Sequence, residues 1–542
     1  MTDAKQAAQL IKESDLLFGS VERRTWDPQW RVLARHTLPN QSGRFQNSTT
    51  NSLNTPGAKR TKNRFDTTGY EATRDLASAI HSTLTNPATN WSEIEFKSVL
   101  LNDGTDSSKW LHEVNSSIHD FLHESNFDTE VGKAYRQFPS LGNMILLQEA
   151  KTDQPGFRFE ALHLAEIAWE ENEDSIVDKV VRRYSLTPVQ AIKKWGEDKV
   201  GTRIKKLAKT DPTVRIQFVK IWGKRAEKDV KLNKDGLGSP KSRPYYYVDL
   251  EVENPRILDE GGYYEFPIHV SRWETAPGEV YGAAPGIIAL PNMLSLDVLS
   301  EEELAALALA NRPPLTVITG EVTGSLELIP AGLTNVLSHD AVRPIDLGSR
   351  PDLSQMGKKD LQDTVKRIFY LDKLLLPPRT ETGEMTATEI VERTVQMHRV
   401  LGPTTSRINN ELLAPIILRS FNILLRQGAL PPIPQDVKDE GINIDVNFIN
   451  LLARSQRLEE VTNIMGWLQE SAGVAQVDPG SIDLVNGDGL VKHLAGIRNI
   501  PPVALRSVEE VEQLRTARAE AAQKEQALEA GVKAADIESK SQ

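Results

Sequence analysis

Between Thr386 and Gly428 the chain carries a helical pattern too long for one small compact domain. Thr386 and Glu389 have capping-box spacing, and Ile390, Met397, Leu401, Ile408, Leu412 and Phe421 recur on successive turns. Gly428, with Pro431-Pro432 beyond it, supplies the stop. About 40 residues at about 1.5 Å each span roughly 60 Å. Gly402-Pro403 and Pro415 interrupt the pattern, so kinks are expected there rather than a straight rod. The 542 residues exceed what a single core holds, and two to four structural units are expected.

An apolar fraction of 39% with 26% charged residues fits a folded soluble chain. Lys and Arg number 64 against 75 Asp and Glu, for a net charge of −11, which makes a poor nonspecific gripper of DNA. Cysteine is absent, so disulfides, thiolate zinc sites, iron–sulfur clusters and cysteine nucleophiles are excluded together. The start lacks the basic-then-apolar order of a signal peptide. Gly286 to Leu290 and Leu412 to Leu418 fall short of the roughly 20 apolar residues of a membrane span.

Residues 4–18 and the stretch around Trp26, Trp30 and Leu33 read as helices, and 41–63 as a polar loop holding Lys59, Arg60 and Lys62. Thr68 and Glu71 have capping-box spacing ahead of a helix through Leu84. A strand follows from Trp91, then a helix from Ser107 to Phe127 and a strand from Leu141 to Gln148. Strand patterns dominate 157–270, broken by a short helix that Thr187-Pro188 opens. This order predicts an α+β fold rather than an alternating parallel array. After Pro285, helical patterns end at Pro313-Pro314 and again at Pro377-Pro378, with a glycine-punctuated β segment between them. Helices are also expected over 447–475 and 481–497, followed by an Ala/Glu/Gln/Lys tail.

Signs of catalysis are weak. Gly236 to Ser242 resembles a phosphate loop but has the wrong spacing and a proline, and a turn is the plainer reading. His112, His119 and His123 share a helical face, yet Asp120 stands where a metalloprotease motif needs Glu. The acidic runs Glu170 to Asp174 and Glu301 to Glu303 read as solvated faces. A metal-dependent nucleic-acid enzyme built on these histidines and acids is the alternative to an architectural protein.

Four segments carry a resemblance: Phe266-Pro267-Ile268-His269-Val270-Ser271-Arg272-Trp273 followed by Gly278 to Pro285, Leu186-Thr187-Pro188 through Lys194-Trp195-Gly196, Met385 to Ile390, and Gly496-Ile497-Arg498 with Pro501-Pro502. In this order they resemble the portal, or head-to-tail connector, protein of short-tailed tailed bacteriophages, over nearly the whole chain. Ala283-Ala284 departs from relatives that carry a polar residue there. The resemblance implies a portal fold assembled as a ring, a dodecamer, at one capsid vertex of the virion, put together in the host cytoplasm. It implies a wing over 1–285, stem helices over 286–311 and 351–376, and a β-rich clip over 312–350. A tunnel loop over 377–386 follows, then a long kinked helix and wing over 387–445, a helical crown over 446–505 and a tail over 506–542. The implied partners are double-stranded DNA, the terminase large subunit, tail adaptor and tail tube proteins, and the major capsid and scaffolding proteins. No membrane, catalytic residue, cofactor or metal is implied. In the tunnel loop Arg379, Glu381 and Glu384 are expected to face DNA, with Arg379 as the phosphate contact. In the clip Thr316, Glu321, Glu327, Asn335 and His339 are expected to dock terminase or adaptor.

Overall fold

The computed structural model describes residues 2–45, 64–97, 105–232, 238–323, 335–345, 351–374, 401–440, 444–448, 451–475, 485–497 and 510–521, together with 480, 506 and 523. The described strands, in chain order, are β1 (Ser92–Phe96), β2 (Asn143–Ala150), β3 (Phe157–Leu162), β4 (Ile167–Glu171), β5 (Val177–Leu186), β6 (Ile216–Lys224) and β7 (Tyr245–Glu251). They continue as β8 (Arg256–Tyr263), β9 (Ile268–Arg272), β10 (Leu315–Val317), β11 (Val322–Thr323), β12 (Asn335–Val336), β13 (Val342–Pro344) and β14 (Ile444–Phe448). The chain divides into two compact units: Met1–Pro87 with Ser125–Arg419, and Ala88–Glu124 with Ser420–Gln542.

The first unit is built on a five-stranded antiparallel meander, β4-β5-β6-β7-β8. Alternation along the strands puts Val181, Val219, Ile221, Val248 and Leu250 on one face, and the Thr2–Phe18 helix covers them with Ala7 and Ile11. On the opposite face Ile216, Phe218 and Leu258 lie under Ala191, Trp195 and Ile204 of two short helices, Pro188–Trp195 and Thr202–Thr210. Each such aliphatic or aromatic side chain contributes about 1.5–3 kcal/mol on burial. The Pro188–Trp195 helix opens with proline at its start, as the sequence predicts, and with a full capping box between Thr187 and Gln190 that the sequence reading missed.

A three-stranded sheet, β3-β2-β9, forms the second layer of this unit. Behind it lies the Phe127–Leu141 helix, which the sequence reading missed. Phe127, Val131, Ala134, Tyr135, Phe138 and Leu141 are all buried along it at helical spacing. It ends at Gly142, with φ +76°, where an added Cβ would run into the Gly282 carbonyl, so both conformation and space require glycine.

Two expectations need correction. The helix of residues 68–84 is not opened by a Thr68–Glu71 box: Thr68 is its first residue, and its N–H donates to Asp66 Oδ1 at 2.9 Å. Thr67, the residue before, instead donates to Glu71 Oε1 at 2.9 Å. The helix expected over 351–376 runs as Pro351–Ile368, and a separate turn, Leu371–Leu374, follows. Tyr370 adopts φ +58° at the break, which lets both Phe369 and Leu371 enter the core.

The second unit pairs β1 with β14 antiparallel, from Ser92↔Phe448 to Phe96↔Ile444. The Thr105–Glu124 helix adds Trp110, stacked near Phe96 with centroids 6.1 Å apart, and Trp110 Nε1 donates to Pro431 O at 3.1 Å. Helices Leu451–Ala475 and Gly487–Ile497 follow, and Glu460 and His493 meet at 2.9 Å. No described helix is long and apolar enough to cross a membrane.

Candidate functional site

The Pro285–Asn311 helix is the most unusual surface in the first unit. Its opening turns bury Pro285, Gly286, Ala289, Met293, Leu296 and Ser300. Beyond Ser300 every residue is exposed or half-buried, although Leu304, Leu307 and Leu309 are large and apolar. Ile288, at 65% exposed, and Leu294 and Val298 extend the apolar surface toward the base. Apolar residues thus occur all round this helix, a pattern that belongs to helices covered on every side.

The Pro351–Ile368 helix packs against it, and Lys358 Nζ meets Glu303 Oε2 at 3.1 Å. Here the exposed charged side chains are Lys359, Asp360, Asp363, Lys366 and Arg367, of both signs, and Met356 is exposed beside them. A polar node ties the two helices to the segment before residue 68. Asp297 Oδ1 accepts the backbone N–H of Phe65 at 2.8 Å, and Gln362 Nε2 donates to Asp66 Oδ2 at 3.1 Å.

Between these helices the described β segment forms two ladders, β10 with β13 and β11 with β12. Three and two residue pairs are too few to stand alone. Ala341 is buried, whereas Val317, Ile318, Val336, Leu337 and Ile345 are exposed, Leu337 at 73%. Thr316 pairs with Arg343 and donates its hydroxyl to the Arg343 carbonyl at 3.1 Å. Asn335 pairs with Thr323, and its carbonyl accepts the Thr323 hydroxyl at 3.4 Å. Glu321 is half-buried, with its carbonyl accepting from Leu337 N at 2.8 Å, and His339 is exposed. Sequence reasoning singled out polar residues here and missed the exposed apolar set. The available signal was a segment rich in Val, Ile and Leu but too short to enclose a core. Glu327 and the tunnel-loop residues Arg379, Glu381 and Glu384 lie outside the described residues.

The histidine constellation does not assemble into a metal site. His119 is buried, its Nδ1 3.0 Å from Asn115 O and its Nε2 3.3 Å from Ser92 Oγ, and burial holds its pKa below the usual range. Among the described residues no group of three or more His, Asp or Glu is placed to hold a metal ion. The acidic runs are partly spent on ion pairs: Glu171 with Arg272, Glu170 with Lys179 at 3.5 Å and Glu303 with Lys358. The residues of the phosphate-loop lookalike that are described include a single helical turn, Pro240–Ser242.

The family model for bacteriophage head to tail connecting proteins matches residues 20–505. The chain therefore belongs to that family: it is a portal, or head-to-tail connector, a structural component of a phage virion rather than an enzyme. Among its relatives, the probable portal protein of Bordetella phage BPP-1 is 26% identical over 508 residues, covering 92% of this chain and 89% of the relative. The portal protein of Salmonella phage epsilon15 is 26% identical over 527 residues, covering 95% and 92%. A chain from the virion of a native gene transfer agent particle aligns over 75% of this chain and 88% of its own length, at 13% identity and a TM-score of 0.36.

Proposed function

We propose that copies of this chain close into a ring at one capsid vertex, and that double-stranded DNA enters through its bore during packaging and leaves during ejection. In this reading residues 1–285 form the wing, the helices within 286–311 and 351–376 the stem, and 312–350 a clip that docks terminase and later the tail adaptor. Residues 377–386 form the tunnel loop, 387–445 the long helix and adjoining wing, 446–505 the crown and 506–542 its tail. Major capsid and scaffolding proteins surround the ring.

One observation carries the ring. The Pro285–Asn311 helix and the described part of the β segment beyond it leave many large apolar side chains in water when the chain is alone. Patches of that kind mark interaction surfaces. A head-to-tail contact that closes by rotation covers the same patch on every copy. Charges on the Pro351–Ile368 helix suit water or sparse phosphate contact, since a wall dense in cations would hold DNA instead of passing it.

Light scattering of the purified chain, with negative-stain imaging, tests this. The expected particle is an annulus many times the 60.3 kDa of one chain. A monomer at micromolar concentration overturns the reading.

A further inference from the structure

The helical stretch from 401 onward grips β9 and the residues flanking it through three charged side chains. Arg407 Nη1 donates to Thr275 Oγ1 at 2.6 Å. Glu411 accepts the backbone N–H of Arg272 at 2.9 Å and its guanidinium at 2.6 and 3.2 Å. Arg419 Nη1 donates to the Glu265 carbonyl at 2.7 Å and carboxylate at 3.0 Å. Helix numbers rise as strand numbers fall, so helix and β9 run antiparallel along this contact.

Arg407 and Arg419 are twelve positions apart. At about 100° per residue, an uninterrupted α-helix places them about 120° apart around its axis, too far to serve one strand. The turn between them is different: Asn409–Leu413 is π-helical, and Ala414 N–H donates to Asn409 O, five residues back. A turn closed five residues back holds one extra residue, which sets everything beyond it back by about 100°. The two arginines are then about 20° apart.

The apolar stripe is compatible with the same rotation. Leu401 and Ile408 are buried before the turn, Leu412 and Leu413 at its end, and Ile416 and Ile417 after it. Counted as an uninterrupted α-helix these positions spread over about 180°, and with the extra residue counted over about 140°. Asn410 is exposed and has room to be that residue. Pro415, close behind, lacks an N–H, and in α-geometry its ring crowds the Glu411 carbonyl, which favours the wider turn.

We propose that this π turn is a register adapter: it rotates the second part of the helix so that Arg407, Glu411 and Arg419 clamp β9 and its flanks together. Pro415→Ala serves as the parent for two variants that test it. Deleting Asn410 in that parent leaves a plain α-helix with the two arginines still about 20° apart, so the clamp re-forms. Inserting one alanine after Asn410 adds a second extra residue and swings Arg419 about 100° away. The deletion is expected to melt within about 3 °C of the parent, and the insertion at least about 6 °C lower. Hydrogen exchange at the β9 amides should stay at the parent's rate in the deletion and rise at least about tenfold in the insertion. A deletion variant that loses as much as the insertion variant, or fails to fold, overturns the proposal. It stands apart from ring formation, because both readouts report on the fold of one subunit.

Discussion

Arg272 is heavily committed among the described side chains of the first unit. Buried itself, it pairs with Glu171 and Glu411 and donates to the carbonyls of Ser175 at 3.3 Å and Val280 at 3.5 Å. Removing one member of such a buried set leaves the others desolvated without compensation, at about 3–5 kcal/mol. Arg272→Ala is therefore expected to lower the unfolding free energy from urea titration by that amount, and a loss below about 1 kcal/mol would contradict the assignment. Two buried histidines set the acid side. Burial, then nearby arginines, pushes His163 and His269 down to about 3. Unfolded histidine titrates near 6.5, so below that pH the unfolded chain takes up protons that the folded chain refuses. Their stabilisation is complete above about pH 6.5 and declines as pH falls toward 3, by about 2 kcal/mol for each histidine at pH 5. His269→Gln should lose less stability than the parent between pH 7 and 5 in urea titrations; parallel curves would count against the burial argument.

Elements explain what sequence reading caught and what it missed. The Thr187-Pro188 helix start was legible because proline at the first helical position is a local signal. Thr68 and Glu71 misled because Asp66 competes for the same N–H, a choice that spacing does not reveal. The Phe127–Leu141 helix hid behind an internal proline, Pro139. Strand β14 is five residues long and finds its partner, β1, far away in the chain, so local alternation is its only trace. Pro415 marked a disturbance in the long helix, but the rotation it accompanies depends on where β9 lies. The helix–β–helix order after Pro285 was legible, whereas its exposed apolar side chains need coordinates to be seen. Those side chains carry an element-scale prediction. Leu304→Asp with Leu307→Asp puts charge on exposed positions that touch little of their own chain. Circular dichroism and melting should stay near the parent, while light scattering should show loss of the ring. A ring that survives both changes would place the subunit contact elsewhere.

At the scale of the whole molecule the requirement is a passage that does not hold what passes. A net charge of −11 per chain lowers the average attraction for phosphate, and copies in a ring multiply that effect. In the proposed ring the tunnel loop is the expected constriction, and its sequence carries Arg379 against Glu381 and Glu384. Each cation that neutralises a phosphate releases counterions and steepens the salt dependence of binding by about 0.9 in log K against log salt. Glu381→Lys with Glu384→Lys turns a loop charge of −1 into +3 on every subunit. If the loop borders DNA, the assembled variant should bind duplex more tightly at low salt, with a slope steeper than the parent's, and should package more slowly for the same motor. Arg379→Ala should act in the opposite sense, with a shallower slope and weaker retention of packaged genome. Changes at the loop that leave the slope untouched in both directions would mean that the loop stands clear of the phosphates, and passage would then depend on the stem wall with its alternating Lys359, Asp360, Asp363, Lys366 and Arg367.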